Sequence, residues 1–433
     1  MNKKLLAVAI AGVLAAPLAQ AQTANVTLYG RLNLSTQVII NAKQDASGGG
    51  LKENLYQVNS NSSRLGVRGT ESLGGGLNAI FQAEERFDAT NAGAVSLAGD
   101  SFVGLQGGWG TAKIGYFLTP YDDVSPVFGS VPTLITSILG TQSLWSNSGY
   151  AGNSIDTGAF DDRAANSLRY DSPVISGFTF SGQIFARDQS SGDGGGGDPL
   201  LSQQRRHAYG MSFGSTYNNG PISGGIAYEF HNNMRLSGTG YNGLAQGCNP
   251  VGSCNNKLQD QGLTIAGAYQ FGAWKFAAVG EWLKYDVPTA ANPNGELKRS
   301  LWGISTTGNI GPGQLYAAYF KANNGRGSGT CTTAGSGLTA VTTCPVVGGL
   351  VLGNETSSQQ WEVSYTYPLS KRTLLYTGYV MIDNAKNAAY NFGVGSVQGL
   401  CLGNPSSNAG GAQVGCGDAA RPQGVVAGIV HFW

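Results

Sequence analysis

The side chains that could do acid-base or nucleophilic chemistry are few and scattered in this chain of 433 residues. Its three histidines are His207, His231 and His431, and no Gly-x-Ser-x-Gly, His-Glu-x-x-His or phosphate-binding loop accompanies them. The best catalytic arrangement in the sequence is His231 as a base beside an aspartate of a loop. We expect no enzyme, no cofactor and no metal site, and we keep a His231-dependent hydrolase as the enzyme alternative.

The six cysteines suit structural cross-links better than catalysis. They form three local pairs with separations of 6, 13 and 15 residues, namely Cys248 with Cys254, Cys331 with Cys344, and Cys401 with Cys416. Six cysteines allow fifteen pairings, and this one keeps each bridge within a single polar segment. A zinc site would need CxxC spacing or nearby histidines, which the sequence lacks. We predict three disulfides, formed in an oxidising compartment.

Charge and composition narrow the class of protein. The formal net charge is +1, and it becomes −1 without Lys3 and Lys4, since 24 basic residues then face 25 acidic ones. No basic face for nucleic acid is indicated. The chain is 41% hydrophobic, contains 67 glycines and has a mean hydropathy of −0.10, which excludes a helical membrane protein. Several soluble domains, or a membrane barrel with a polar lumen, both fit these values.

The N-terminus has the pattern of a secretory signal peptide. Lys3 and Lys4 precede an apolar run over residues 5–18, and Ala19-Gln20-Ala21 gives a cleavage site of small residues. No later segment offers the eighteen apolar residues that a transmembrane helix needs. We therefore divide the chain into a signal peptide, residues 1–21, and one domain, residues 22–433.

From residue 25 onward the chain repeats segments of about ten residues with alternating polarity. Near the start, Val26, Leu28, Leu32 and Leu34 share one face, whereas Thr27, Arg31, Asn33 and Ser35 share the other. The last segment aligns Val425, Ala427, Ile429, His431 and Trp433 on one face. An edge strand of a soluble sheet could end in the same way. Repeated along the whole chain, the pattern predicts strands with one face suited to lipid and one suited to water.

The connections between these segments alternate between tight turns and long polar loops. The turns lie at residues 72–75, 108–110, 175–177, 218–221, 272–273, 311–313 and 370–372; the longest loops are 119–163, 188–206, 233–259, 323–358 and 386–423. Seven turns and eight loops imply sixteen strands. The fold class is thus all-β: a 16-stranded antiparallel transmembrane β-barrel, which is wide enough to leave an aqueous channel.

Several strings resemble the general trimeric porins of Gram-negative bacteria, in the same order and over essentially the whole mature chain. They are Ser-Arg-Leu-Gly-Val-Arg-Gly-Thr-Glu at 63–71, Leu-Gly-Gly-Gly-Leu at 73–77, Ser-Phe-Val-Gly-Leu at 101–105, Asn-Ser-Leu-Arg-Tyr-Asp-Ser-Pro at 166–173, Leu-Ser-Lys-Arg-Thr at 369–373 and Ile-Val-His-Phe-Trp at 429–433. The resemblance implies an outer-membrane homotrimer with an inward-folded third loop. It also implies passive diffusion of ions and small hydrophilic solutes, with outer-membrane lipid and lipopolysaccharide as surroundings. A substrate-selective porin for a sugar or organic anion, or an adhesin-like surface barrel, is the alternative.

Charged residues on the lumen side and in the third loop are the candidate constriction residues. Strand alternation places Arg31, Arg64, Arg68 and Arg169 in the lumen, and the loop carries Asp122, Asp123, Asp156, Asp161 and Asp162. By resemblance, Arg64 matches a pore-wall arginine, Glu84 an acid of the third strand and Arg163 a base before Ala-x-Asn-Ser. Lys113 is the last of the candidate residues. Opposite charges that face each other across a constriction would select among the ions that pass.

This sequence departs from the resembled pattern at two lumen positions. Asp100 precedes Ser101-Phe102-Val103, and Tyr116 follows Gly115, where such porins often carry arginine. Losing two positive charges and gaining Asp100 is expected to weaken an anion preference. Aromatic residues near strand ends are expected to form interfacial girdles: Tyr29, Trp109, Tyr116, Trp274, Trp282, Trp302, Trp361, Tyr365, Tyr367, Tyr376 and Trp433.

Overall fold

Antiparallel strands form one closed sheet along the chain, as the alternating pattern predicts. The computed structural model describes residues 25–43, 53–90, 99–129, 137–140, 143–147, 158–186, 208–235, 258–288, 292–334, 341–388, 390–392 and 421–433. The predicted signal peptide, residues 1–21, lies outside them. So do Asp156, His207 and four cysteines, Cys248, Cys254, Cys401 and Cys416.

The strands of the closed sheet are β1 (Asn25–Lys43), β2 (Glu53–Ser60), β3 (Ser63–Gly74), β4 (Leu77–Phe87), β5 (Ser101–Gly107), β6 (Gly110–Leu118), β7 (Arg163–Asp171), β8 (Phe178–Ala186), β9 (Tyr209–Asn219), β10 (Ile222–Asn232), β11 (Gln259–Phe271), β12 (Trp274–Asp286), β13 (Glu296–Ile310) and β14 (Gly313–Ala322). Two small hairpins follow within the next loop: β15 (Thr332–Ala334) with β16 (Val341–Thr343), and β17 (Val346–Val347) with β18 (Leu350–Val351). The sheet continues with β19 (Ser358–Pro368), β20 (Thr373–Asn384) and β21 (Gln423–Phe432).

The barrel closes where β1 meets β21, from the pair Arg31 and Phe432 to the pair Ile40 and Gln423. Strands β2 and β3 both pair with β1 and act as one wall strand. Its break falls beside Ser62, whose φ of 53° takes it out of the strand conformation. The seventeen strand segments therefore form sixteen wall strands, which confirms the predicted fold class.

Alternation separates an apolar outer face from a polar inner face. Val26 and Leu28 point outward and are 56% and 60% exposed, whereas the inward-pointing Asn33 and Gln37 are buried. The outer face matches a lipid environment and the inner face a hydrated or packed interior. Among the described residues, no helix is both long enough and apolar enough to span a bilayer.

Tight turns connect the strands at one end of the barrel, as predicted. Gly272 and Gly311 have φ of 58° in the turns after β11 and β13, a conformation that glycine adopts without a steric penalty. The strand ends that flank the long connections lie, in the described part of the chain, at the opposite end, which in such barrels is extracellular.

An apolar cluster lies inside the barrel on the side of β10–β14 and β19–β21. Its largest members come both from the wall and from the loops: Tyr121, Val124, Phe128, Leu139, Leu144, Trp145, Phe160, Tyr285, Tyr316, Phe320, Tyr376, Tyr390 and Phe392. Inward loop segments therefore pack against one half of the inner wall, and the other half carries most of the charged side chains.

Candidate pore constriction

The third loop, residues 119–162, follows the C-terminal end of β6 and begins with a 3₁₀ turn, Asp122–Val124, and a short α-helix, Ser125–Phe128. Its described parts bond to inward side chains of the opposite wall. The Tyr121 hydroxyl donates to Glu281 Oε1 at 2.8 Å, and Trp145 Nε1 donates to Thr264 Oγ1 at 3.1 Å. Ser305 Oγ donates to the Phe128 carbonyl at 2.8 Å. These bonds hold the loop against β11–β13.

Aromatic packing reinforces this attachment. The Phe128 ring lies 4.9 Å from Phe320 and 5.7 Å from Trp145, measured between ring centroids. All three side chains are essentially buried. Because burial of aromatic rings excludes water, the third loop and the wall beneath it form a packed core where these rings meet.

Three arginines lie directly beside one another on adjacent strands of that wall. Arg31 on β1 pairs in register with Arg64 on β3, and Arg64 pairs with Arg86 on β4. Arg64 and Arg86 share Glu84: its Oε1 lies 3.0 Å from Arg64 Nη1 and 3.8 Å from Arg86 Nε. The Tyr29 hydroxyl also donates to Glu84 at 3.3 Å. One carboxylate thus pairs with two of the three guanidinium groups in this row.

Arg31 and Arg68 have no carboxylate at ion-pair distance among the described residues. Arg31 donates to the backbone carbonyl of Ser62 at 3.2 Å, and Arg68 lies 5.1 Å above the Tyr29 ring. Their positive charges therefore stay uncompensated by direct ion pairs, which raises the potential of the lumen beside them.

A second charged group lies where the third loop leaves and rejoins the wall. Arg163 Nε is 2.7 Å from Asp100 Oδ1, and Arg169 bonds both to Asp123 of the loop and to Asp171 on its own strand. Four of the five predicted residues here form ion pairs with one another. The fifth, Lys113, lies 3.8 Å from Asp171 and 4.8 Å from the centre of the Phe117 ring.

Two loop aspartates lie apart from this wall. Asp122 borders a separate cavity of about 460 Å³ near the tight turns after β11 and β13, together with Lys275 and Gln314. Asp161 is buried, and neither of its carboxylate oxygens bonds to another described residue. Burial, followed by repulsion from Asp122 and Asp162, raises the pKa of Asp161 well above its usual range.

Two members of the charged wall, Arg86 and Asp171, were not among the predicted site residues. Each stands two positions from a predicted one, Glu84 and Arg169 respectively, and therefore on the same face of its strand. The alternation of inward and outward residues along each strand could therefore have identified both residues from the sequence.

Two ion pairs lie beneath the packed loops. Glu281 accepts a hydrogen bond from the Ser146 backbone at 2.8 Å and pairs with Arg299, and both side chains are fully buried. His231 Nε2 lies 2.7 Å from Glu229 Oε1, and the Phe160 ring stacks on the imidazole at 4.7 Å. His231 thus pairs with a glutamate of its own strand, and no loop aspartate in the described part of the chain fills the role that the enzyme alternative requires.

Of the predicted disulfides, Cys331–Cys344 is present. The girdle prediction is partly wrong: Trp109, Trp282, Trp302, Trp361, Tyr367 and Trp433 are exposed, whereas Tyr29 and Tyr376 bond to inward-facing residues. Both inward tyrosines occupy positions of inward parity on their strands, so position near a strand end did not decide which face they take.

Comparisons with known proteins agree with this architecture. The family model described as Gram-negative porin matches residues 6–387. An outer membrane porin protein of Bordetella pertussis is 27% identical over 91% of this chain and 99% of its own length. The major outer membrane protein P.IB of Neisseria gonorrhoeae is 30% identical, and the alignment covers 45% of this chain and only 51% of that protein.

Among solved structures, the anion-selective porin from Comamonas acidovorans superposes with a TM-score of 0.64 at 19% identity, covering 95% of this chain and all of that one. At this level of identity the match concerns the fold. The family model, the relative aligned over nearly its full length and the closed sixteen-stranded wall all agree. The chain therefore belongs to the Gram-negative porins, which are outer-membrane channels for the passive diffusion of ions and small hydrophilic solutes.

Proposed function

We propose that solutes cross this porin along the wall of β1–β9, through a constriction bounded by the third loop, and that the passage has a weak anion preference. The observation that carries the proposal is the row of Arg31, Arg64 and Arg86 beside a single carboxylate, Glu84. Fixed guanidinium groups at a narrow passage attract anions and repel cations.

The preference is weak because most of the wall's positive charge is paired. Five of the seven basic residues, Arg64, Arg86, Lys113, Arg163 and Arg169, have a carboxylate within ion-pair distance, and only Arg31 and Arg68 have none among the described residues. Asp100 neutralises Arg163, and Tyr116 brings no charge where an arginine is common. A saturable site for one solute would instead make the channel substrate-selective.

We also propose, from membership in the porin family, how the chain is exported and how it assembles. Residues 1–21 are removed as a signal peptide, and the outer face of one side of the barrel is buried in a homotrimer. Cross-linking and mass measurement of the detergent-purified protein test the trimer, and the N-terminal sequence of the mature protein tests cleavage after Ala21.

Reversal potentials in a KCl gradient across a planar bilayer test the selectivity. The wild-type channel is expected to pass chloride slightly better than potassium; Arg31→Gln lowers this preference and Asp100→Asn raises it. Arg421→Gln, an exposed ion-pair residue at the outer end of β21, is the matched control and leaves it unchanged. A cation-selective wild type, or no response to either lumen substitution, contradicts the proposal. Conductance that saturates with one solute favours the substrate-selective alternative.

A further inference from the structure

A cavity of about 460 Å³ lies on the inner side of the barrel near its tight turns, between the third loop and the wall strands β11–β14. The tight turns are at the end opposite the long loops, which in such barrels is the periplasmic end. The cavity has the volume of a small-molecule site. It belongs to a different part of the wall from the row of Arg31, Arg64 and Arg86, so that row does not determine what it binds.

The wall side of this cavity is a row of polar side chains that crosses four strands. Gln270 on β11 pairs in register with Lys275 on β12, and Lys275 pairs with Thr307 on β13. Two residues further along β13, Asn309 pairs with Gln314 on β14. All five have the inward parity of their strands and line the cavity. Their amide and hydroxyl groups donate and accept hydrogen bonds, so the row suits a polar solute.

Lys275 gives the wall side a positive charge. Its Nζ donates to the Pro126 carbonyl at 3.2 Å, and no carboxylate in the described part of the chain lies within ion-pair distance of it. Gly129 has a φ of 90°, and a Cβ atom built on it would stand 3.6 Å from Lys275 Nζ and 3.5 Å from Thr307 Oγ1. The ammonium and the hydroxyl therefore border one open point. Two of the three ammonium N–H groups remain for a ligand, and a carboxylate is the group that such donors bind best.

The loop side of the cavity supplies a negative charge. Asp122 in the 3₁₀ turn and Ser125 in the short helix line it. Ser125 Oγ donates to Asp122 Oδ1 at 3.4 Å, and a carboxylate has about four lone-pair sites, so it accepts further hydrogen bonds. Asp161, which is buried and does not line the cavity, is repelled by Asp122. An ammonium group beside Asp122 would offset that repulsion.

We propose that this cavity binds a polar amino acid in its zwitterionic form. The carboxylate of the ligand contacts Lys275 and Thr307, its ammonium group contacts Asp122, and its side chain bonds to the amides of Asn309 and Gln314. A fixed cation on the wall and a fixed anion on the loop match a ligand with one charge of each sign, whereas a singly charged solute leaves one of them unmatched. The inference goes beyond the proposed passage and does not depend on its anion preference, because the ligand has no net charge.

Saturation-transfer NMR on the detergent-purified protein tests the site with L-glutamine as the probe. Two analogues compete with it: glutaramate lacks the ammonium group, and L-glutamine amide lacks the carboxylate. Each is expected to need an at least about tenfold higher concentration than L-glutamine for the same displacement, since each lacks one hydrogen bond between charged groups. Equal displacement by all three compounds, or no binding of L-glutamine at millimolar concentration, overturns the proposal.

Lys275→Met separates loss of the ligand contact from a change in the third loop. The affinity of the variant for L-glutamine is expected to fall by about tenfold, to that of the amide, whereas its affinity for the amide stays as in wild type. Asp122→Asn is expected to give the reciprocal result, with glutaramate in place of the amide. An equal fall for L-glutamine and its amide in Lys275→Met would mean that Lys275 only holds the loop, and would overturn the proposal.

Lys371→Met is the matched control, because Lys371 is exposed in another turn at the periplasmic end, between β19 and β20. It is expected to bind L-glutamine as tightly as wild type does, and a tenfold loss in this variant would contradict the assignment of the cavity. Reversal potentials of the wild type in KCl test the proposed passage separately. A cation-selective channel that still binds L-glutamine through Lys275 and Asp122 would contradict that passage and support this site.

Discussion

The ring of Tyr376 lies directly over Gly428, so closely that a Cβ atom on Gly428 would stand 2.3 Å from Tyr376 Cζ. The tyrosine belongs to β20 and crosses β21 to reach β1, where its hydroxyl donates to Asn33 Oδ1 at 2.7 Å. It also accepts a hydrogen bond from Asn61 Nδ2 at 2.9 Å. Side chains thus link both sides of the strand pair that closes the barrel.

Gly428→Ala is expected to displace the Tyr376 ring and break its bonds to β1. Overpacking of this kind lowers the free energy of unfolding by about 1–3 kcal/mol. Urea unfolding of the barrel in lipid vesicles measures the change. Gly267→Ala on β11 is the matched control, because its added Cβ meets nothing within 4 Å, and its effect stays within about 0.5 kcal/mol. Equal stability of the two variants would contradict the packing of Tyr376 over Gly428.

Glu281→Gln is expected to loosen the third loop, because it leaves the buried Arg299 without its carboxylate. Breaking a buried ion pair from one side lowers stability by about 3–5 kcal/mol. Tyr121→Phe removes only the hydroxyl bond and lowers it by about 1 kcal/mol. Single-channel recordings would show added current fluctuations in Glu281→Gln. Glu296→Gln breaks a more exposed ion pair and is expected to leave the current as steady as in wild type. Similar current noise in both glutamate variants would mean that Glu281 does not hold the third loop in place.

Asp161→Asn is expected to stabilise the protein in a pH-dependent way. Burial raises the pKa of Asp161 in the folded state, so the folded protein binds more protons than the unfolded chain. Below the unfolded value of about 3.9 both states are protonated and the variant equals wild type. As pH rises through the folded-state pKa, wild type loses stability relative to the variant. Unfolding free energies of both proteins across this range give the difference.

The exposed Asp88→Asn, in the turn after β4, provides the control, with a small difference at every pH. An Asp161→Asn protein that is less stable than wild type at neutral pH would show that the carboxylate is stabilised in the fold.

The double variant Cys331→Ser, Cys344→Ser is expected to free the loop between β14 and β19 without closing the channel. A disulfide between residues 13 positions apart removes conformational entropy from the unconstrained loop, which stabilises the ordered loop by about 3 kcal/mol. Protease treatment of intact vesicles measures the loop's accessibility, and it should cleave the variant faster than wild type. Conductance, governed by the opposite wall, stays the same. A fall in conductance would mean that this loop borders the passage.

Tyr116→Arg is expected to strengthen the anion preference, because it places a positive charge on β6 beside the Arg163–Asp100 pair. Reversal potentials in a salt gradient measure the shift, and the variant combined with Asp100→Asn should shift further. Tyr170→Arg on the outward face of β7 is the control and leaves selectivity unchanged. A Tyr116→Arg channel with wild-type selectivity would place Tyr116 outside the path of ions.

The wall of the barrel was predictable because a period of two fixes both strand and face for every residue. The same rule predicts that Arg31, Arg64 and Arg169 point inward. It could not predict which inward residues the loops cover, since Trp145 reaches Thr264 across 119 positions and no local pattern encodes such a contact. The row of Arg31, Arg64 and Arg86 also depends on register, which the bend beside Ser62 shifts and which the sequence leaves open.

This protein has two apolar regions in different surroundings. The outer face of the barrel contacts lipid, and the apolar cluster inside the barrel is shielded from the water of the lumen. Outside, side chains exchange one hydrocarbon environment for another, so water contributes nothing to holding them in place once the wall is inserted. Inside, the exclusion of water adds to the hydrogen bonds that hold Phe128, Trp145 and Phe320 together. Agents that act through water, such as urea or low temperature, will therefore release the loops from the wall before the inserted cylinder unfolds.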